Sequence, residues 1–300
     1  MRRPTIAAAC CAALLALAGA GAQAAVSAVD DSGHTVTLQA PAQRIVSLSP
    51  QATELLFAVG AGARIVGAIE FSNYPAEANK IPTVGSATML DIERIIASKP
   101  DLIVIWGSGN LAPQVGRLRA VGIPIYDSEP RDFDMIATSL ERLAVLAGTD
   151  AAGKSEAAKF RARLTRLAAD YRERDPVTVF YQVWREPLMT LNDTHMVSSA
   201  IRLCGGRNIF GALPQIAPTV SIEAVLKANP EVIVGGTSAQ DDSMAQWQRF
   251  PKLRATARGN LVTINSDLLT RAGPRILDGT AALCRSFDDA RKNRDAAGNR

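Results

Sequence analysis

The chain has 300 residues, 47% hydrophobic and 21% charged. That balance excludes a disordered chain and suffices to bury a real core, as one large domain or two lobes. A net charge of +4 without a dense Lys/Arg stripe excludes an ordinary nucleic-acid binder, and two histidines, His34 and His195, with four cysteines leave too little for a protein-built zinc site.

Residues 1–24 read as a secretory signal peptide. Arg2 and Arg3 form the charged start, Ile6 to Ala18 an apolar run, and Ala22-Gln23-Ala24 a small-x-small cleavage site. The apolar run is short for a spanning helix, and no later stretch reaches the ~18 apolar residues that spanning requires. Too little apolar sequence precedes Cys10 and Cys11 for a lipid-attachment motif. The mature protein is therefore expected to be exported and soluble, with a net charge of about +2. It keeps Cys204 and Cys284, a candidate disulfide in an oxidising compartment, with two separate buried thiols as the alternative.

Val26 to Val29 and Thr35 to Leu38 flank Asp30-Asp31-Ser32-Gly33, a hairpin signal. Arg44 to Leu48 is a short apolar strand. Ser49 then caps a helix with Pro50 at its first position and Leu55, Leu56 and Val59 on its apolar face. Ile65 to Ala68 is a further strand, Asp91 to Lys99 a helix, and Asp101 to Trp106 a continuously apolar strand. Such strands alternating with helices indicate a parallel sheet covered on both faces.

The same pattern occurs twice. Leu90-Asp91-Ile92-Glu93 leads to Lys99-Pro100-Asp101-Leu102, and Val220-Ser221-Ile222-Glu223 leads to Asn229-Pro230-Glu231-Val232. The offset of about 130 residues is too long for a solenoid and fits two similar α/β lobes. Between them, Phe160, Leu164, Leu167 and Tyr171 recur at helical spacing in an Ala151–Glu173 segment with no Pro, predicting one long connecting helix ended before Pro176. The predicted layout is a leader over 1–24, a hairpin over 25–43, lobes over 44–149 and 176–291, a connecting helix over 150–175 and a polar tail over 292–300.

Gly148 to Ser155 fits the phosphate-loop spacing, which would make the chain a nucleotide-binding enzyme. That mechanism needs a preceding strand, whereas Ile136, Leu140, Leu143 and Ala147 have helical period. The segment reads instead as a helix–helix junction, with Gly148 as the stop and Thr149 or Asp150 as the next cap. No nucleophile elbow or His-Glu-x-x-His appears, so no enzyme is expected. Ligands of open α/β sheets sit beyond the carboxyl ends of the strands. There the chain places Gln51, Phe71, Trp106, Trp184, Met189, His195, Asp267 and Arg271, which suggests a mostly apolar cleft with a few polar anchors.

Arg44 to Pro50 with Thr53-Glu54, Ser72-Asn73-Tyr74-Pro75, Lys99-Pro100-Asp101-Leu102, Cys204-Gly205-Gly206-Arg207-Asn208-Ile209-Phe210 and Arg271-Ala272-Gly273-Pro274-Arg275 together resemble the iron-chelate and cobalamin class of substrate-binding proteins that serve ABC importers. The resemblance runs from about Arg44 to Phe287. It implies an α/β fold of two Rossmann-like lobes with mainly parallel sheets, joined by a single long helix, with the ligand cleft between the lobes. It further implies a monomer in the periplasm, no cofactor, and a permease partner in the inner membrane. The implied ligand is cobalamin or a related corrinoid, with haem or a ferric siderophore as the alternative. By position, Phe71 would pack on the ring, Trp106 would form the wall, and Asp267, Leu268, Leu269, Thr270 and Arg271 would meet peripheral amides. His195 is a wall residue or an axial metal ligand. Cys204 and Cys284 match the class disulfide, and Glu93 and Glu223 the pair that docks onto the permease. Ala87 and Ala217 fall where cobalamin-binding members carry tryptophans, and Met189 and Val183 where ring-facing phenylalanines stand.

Overall fold

The computed structural model describes residues 24–171, 173–237 and 244–298. The predicted leader therefore lies, apart from Ala24, outside the described residues. Strands β1 (Val26–Val29) and β2 (Thr35–Leu38) form the hairpin, and Asp30 closes its turn by accepting hydrogen bonds from the backbone N–H groups of Ser32 and His34.

The first lobe contains β3 (Ile45–Ser47), α1 (Pro50–Ala58), β4 (Ile65–Ala68), α2 (Ile92–Ala97), β5 (Leu102–Ile105), α3 (Ala112–Ala120), β6 (Ile125–Asp127) and α4 (Phe133–Ala147). Helix α5 (Asp150–Tyr171) follows. The second lobe contains β7 (Val177–Gln182), α6 (Met196–Leu203), β8 (Gly206–Asn208), α7 (Ile222–Ala228), β9 (Val232–Thr237), α8 (Ala245–Gln248), α9 (Arg254–Ala257), β10 (Leu261–Asn265), α10 (Asp267–Thr270) and α11 (Ile276–Gly298). The sheets run β4-β3-β5-β6 and β8-β7-β9-β10, parallel throughout. Each lobe thus orders its strands second, first, third, fourth, and the duplicated sequence pattern falls in the two lobes. The duplication extends to detail. Asp91 and Ser221 cap the paired helices by accepting from the N–H groups of Arg94 and Ala224. Lys99 and Asn229 end them in the left-handed region, at φ 49° and 46°.

Continuous apolar strands let each sheet bury both faces. On β5, Leu102 and Val104 face a central core while Ile103 and Ile105 face an outer cluster. On β7 and β9, Val179, Tyr181, Val232 and Val234 face the same central core, and Phe180 and Ile233 an outer one. The central core is continuous between the lobes, and Phe160, Leu164, Leu167 and Tyr171 of α5 pack against it. Cys204 and Cys284 join α6 to α11 in a disulfide with both residues fully buried. Its sequence separation of 80 corresponds to about 4 kcal/mol of chain-entropy stabilisation.

The phosphate-loop spacing sits between two helices. Gly148, at φ 63°, ends α4, and the Thr149 carbonyl accepts from Ala152 and Gly153 to start α5. No strand precedes it, so these N–H groups are spent inside a helix turn and are not turned toward phosphate.

The hairpin is fastened by Asp31. Its carboxylate accepts from the Glu129 N–H at 2.8 Å and meets Arg142 at 3.4 Å, with the side chain only 1% exposed. Burial raises its pKa to about 6, against the hydrogen bond from Glu129 and the charge of Arg142, which lower it. The fold therefore holds a proton more tightly than the unfolded chain, and this group costs stability as pH rises from about 4 to about 6. Relative to the native chain, Asp31→Asn should gain about 1–3 kcal/mol of unfolding free energy between pH 4 and pH 7 in urea titrations. An unchanged difference at the two pH values would contradict this.

Candidate functional site

A cleft of about 490 Å³ opens between the lobes, where Gln51, Trp106 and Ser108 oppose His195, Met196 and Thr270. Gln51 and Trp106 follow β3 and β5, the neighbouring strands at which the first lobe reverses its strand order. This is the position at which open α/β sheets bind ligands.

Each wall residue is held by local structure. Ser49 caps α1 by accepting from the Ala52 N–H at 3.1 Å, and Pro50 fits its first turn, so Gln51 is set at the cleft floor with 8% exposure. The Trp106 N–H donates to Asn110 Oδ1 at 2.8 Å, and Asn110 Nδ2 donates to the Leu48 carbonyl at 3.0 Å. Gly109 lies under the indole, where a Cβ would approach the ring to 2.0 Å, so only glycine fits there. Two carboxylates, Asp127 at the end of β6 and Glu129 just beyond it, clasp the same loop. Asp127 accepts from the Gly107 N–H, and Glu129 accepts from the Ser108 N–H and hydroxyl. His195 stands before α6 and caps it, with Nδ1 accepting from the Val197 N–H at 3.1 Å. Burial lowers its pKa to about 4.

Gln51, Trp106, His195 and Thr270 are brought to one cleft; the other expected contacts are placed elsewhere. Phe71 and Trp184 are 74% and 62% exposed. Phe71 is held at φ 64°, a region a bulky residue rarely adopts. Met189 is half-buried and bridges to Trp184 and Thr219. Leu268 is half-buried, whereas Leu269 is 1% exposed and turned into the central core.

Arg271 differs most from its expected place. It is 9% exposed and crosses between the lobes to Glu54 on α1, at 3.1 Å. It also donates to Asn73 Oδ1 at 2.9 Å and pairs with Asp267 at 2.9 Å. Arg275 grips the same Glu54 carboxylate in a fork, at 2.9 and 2.6 Å, and lies over the Tyr74 ring at 3.7 Å. Two guanidinium groups are thereby balanced by two carboxylates, and the donors expected to meet a ligand are engaged in joining the lobes. The sequence carried a faint sign of this in Glu54, a carboxylate amid the apolar Leu55 and Leu56 with no basic residue elsewhere on α1. Glu93 and Glu223 lie outside the cleft, both exposed and both second in their capped helices. Among the described residues, no cluster of three or more His, Cys, Asp or Glu side chains is placed to hold a metal ion.

The periplasmic binding protein family model matches residues 45–268. The vitamin B12-binding protein of Vibrio parahaemolyticus is 35% identical over 256 residues, covering 85% of this chain and 92% of the relative. The crystal structure of the periplasmic vitamin B12 binding protein of Vibrio cholerae superposes with a TM-score of 0.79 at 37% identity, over 84% of this chain and 99% of that one. A periplasmic haem-binding protein from Roseiflexus shares the fold, with a TM-score of 0.75 at 23% identity over 83% of this chain and 98% of that one.

Removing one partner from a buried ion pair leaves an uncompensated charge and typically costs about 3–5 kcal/mol. Glu54→Ala leaves Arg275 without a carboxylate and Arg271 with Asp267 and Asn73 alone, so a loss of about that size is expected in chemical denaturation. Glu54→Gln should recover part of it, because an amide oxygen still accepts. A Glu54→Ala variant as stable as the native chain would remove the cluster from the account.

Proposed function

The chain belongs to the periplasmic binding protein family, and from that premise we propose that it captures cobalamin or a related corrinoid and delivers it to the permease of an ABC importer. The observation that carries this reading is the inter-lobe cleft at the strand-order reversal, walled by Trp106 and floored by Gln51, in a chain 35% identical to a vitamin B12-binding protein over most of both lengths. Binding of a flat macrocycle needs no chemistry from the protein. It draws on apolar burial, stacking on Trp106 and a few hydrogen bonds at the wall. Phe71 and Trp184, both exposed, would add apolar surface for a ligand larger than the cleft itself. An anionic siderophore would call for several uncompensated cations, whereas Arg271 is neutralised by Glu54 and Asp267 and Arg131 shares its rim of the cleft with Glu129. Haem-binding relatives at 23% identity share the fold, and their ligand does not transfer on fold alone.

In this reading the protein works in the periplasm, exported by the leader at 1–24. Glu93 and Glu223 present one carboxylate per lobe at the second position of equivalent helices, where the helix dipole favours negative charge. Hydrogen bonds from its own N–H and from Ser221 hold the Glu223 carboxyl below the usual range, so it is ionised at neutral pH. Such a pair suits a permease with a basic residue on each half.

Trp106→Ala should weaken cyanocobalamin binding about tenfold or more in calorimetric titration, consistent with ~1–3 kcal/mol per stacked ring. The ligand-free melting temperature should hardly change. Unchanged affinity with a lowered melting point would make Trp106 a packing residue only. Glu93→Ala combined with Glu223→Ala should leave ligand affinity intact and reduce uptake in cells, since exposed carboxylates act in docking and contribute little to the fold. Normal uptake by that double variant would refute the docking role.

A further inference from the structure

We propose that His195 recognises the ligand as a hydrogen-bond donor through Nε2, selecting an acceptor oxygen such as a corrinoid's peripheral amide carbonyl, and does not ligate the chelated metal. The inference rests on the corrinoid reading above and adds a specificity-determining residue to it.

The argument starts at the other ring nitrogen. His195 occupies the N-cap of α6, with extended backbone at φ −83° and ψ 144°. Its Nδ1 accepts from the Val197 N–H at 3.1 Å. A nitrogen that accepts carries no proton, and a neutral imidazole has a single N–H, so that proton is on Nε2. The residue lines the cleft between Thr194 and Met196, which makes Nε2–H the ring's remaining polar contact there. The neighbouring Thr194 hydroxyl is already committed to Asn192 Oδ1 at 2.7 Å.

Metal ligation demands the opposite arrangement. A histidine bound to metal through Nε2 holds its proton on Nδ1 and donates it to an acceptor behind the ring. Here the group behind the ring is the Val197 N–H, itself a donor, with Val197 fully buried. Two donors would meet head-on, and α6 would lose its cap. Ligation through Nδ1 would remove the cap directly. Burial of the ring acts in the same direction by keeping it neutral above about pH 4, so the donor and its tautomer persist across the neutral range.

Aquocobalamin exchanges its upper axial water for imidazole with a shift of its visible bands, whereas cyanocobalamin holds its cyanide. The test therefore uses both with the full mature protein. The inference predicts an unshifted aquocobalamin spectrum on binding and affinities for the two cobalamins within about threefold of each other. Nitrogen-15 spectra of the imidazole should place the His195 proton on Nε2. His195→Ser preserves a capping oxygen while removing the reach of Nε2–H, so it should weaken both cobalamins fivefold or more with little change in melting temperature. An imidazole-type spectrum, with aquocobalamin bound over tenfold tighter than cyanocobalamin, would overturn the inference and leave the corrinoid reading standing. So would undiminished binding by His195→Ser. Failure of both cobalamins to bind the native chain would overturn the corrinoid reading, and the proposed acceptor with it.

Discussion

Glu54 is a single carboxylate, 3% exposed, set between two lobes, and much of the molecule's geometry follows from what is needed to satisfy it there. A buried charge persists only when it is paired and hydrogen-bonded. Glu54 draws its partners from Arg271 and Arg275, more than 200 residues along the chain. Because the Arg275 contact is a two-bond fork, it fixes orientation as well as distance. Asn73, Tyr74 and Asp267 then hold the two guanidinium groups from the remaining sides. The cluster registers one lobe on the other.

The cleft walls are extensions of that cluster. Gln51 lies one turn before Glu54 on α1, and Thr270 and Ala272 flank Arg271. Cleft-lining residues on both sides are therefore placed by the same contacts that neutralise the buried charge. The continuous core beneath, with α5 packed along it and the disulfide between α6 and α11, resists the wide opening that a flexible tether would permit. A cleft formed in advance orders fewer groups when a ligand arrives, which leaves more of the burial energy as affinity. It also keeps the Glu93 and Glu223 helices at a fixed spacing, as docking on a permease would require.

Local chemistry was legible in the sequence. The hairpin, the Ser49-Pro50 helix start and the apolar stripe of α5 each carry a short-range signal, and the duplicated helix–strand pattern announced two similar lobes. Thr270 was reached only through the family resemblance, whereas Gln51, Trp106 and His195 were readable as cleft residues because strand ends have a fixed relation to ligand sites. Arg271 was not. A cation beside a cleft looks alike whether it meets a ligand or a carboxylate from the other lobe, and the approach of Glu54 is set by tertiary packing alone. Leu269 failed for a different reason. Helix α10 is one turn long, too short for periodicity to tell which leucine of Asp267-Leu268-Leu269-Thr270 faces the core. Asp31 reads as an ordinary turn residue, and only the packing of the hairpin on Glu129, Ser139 and Arg142 buries it.

The central claim is that the buried Glu54 cluster holds the cleft ready before the ligand arrives. It is tested most directly by electron–electron distance measurement between spin labels on the two lobes, at Lys80→Cys and Lys252→Cys, both exposed positions. The account predicts one narrow distance distribution in the native background, shifting by less than about 2 Å when cyanocobalamin is added. It predicts a broad distribution in Glu54→Ala that cyanocobalamin narrows. A ligand-free native protein already broad, and closing by several ångströms on the ligand, would contradict it.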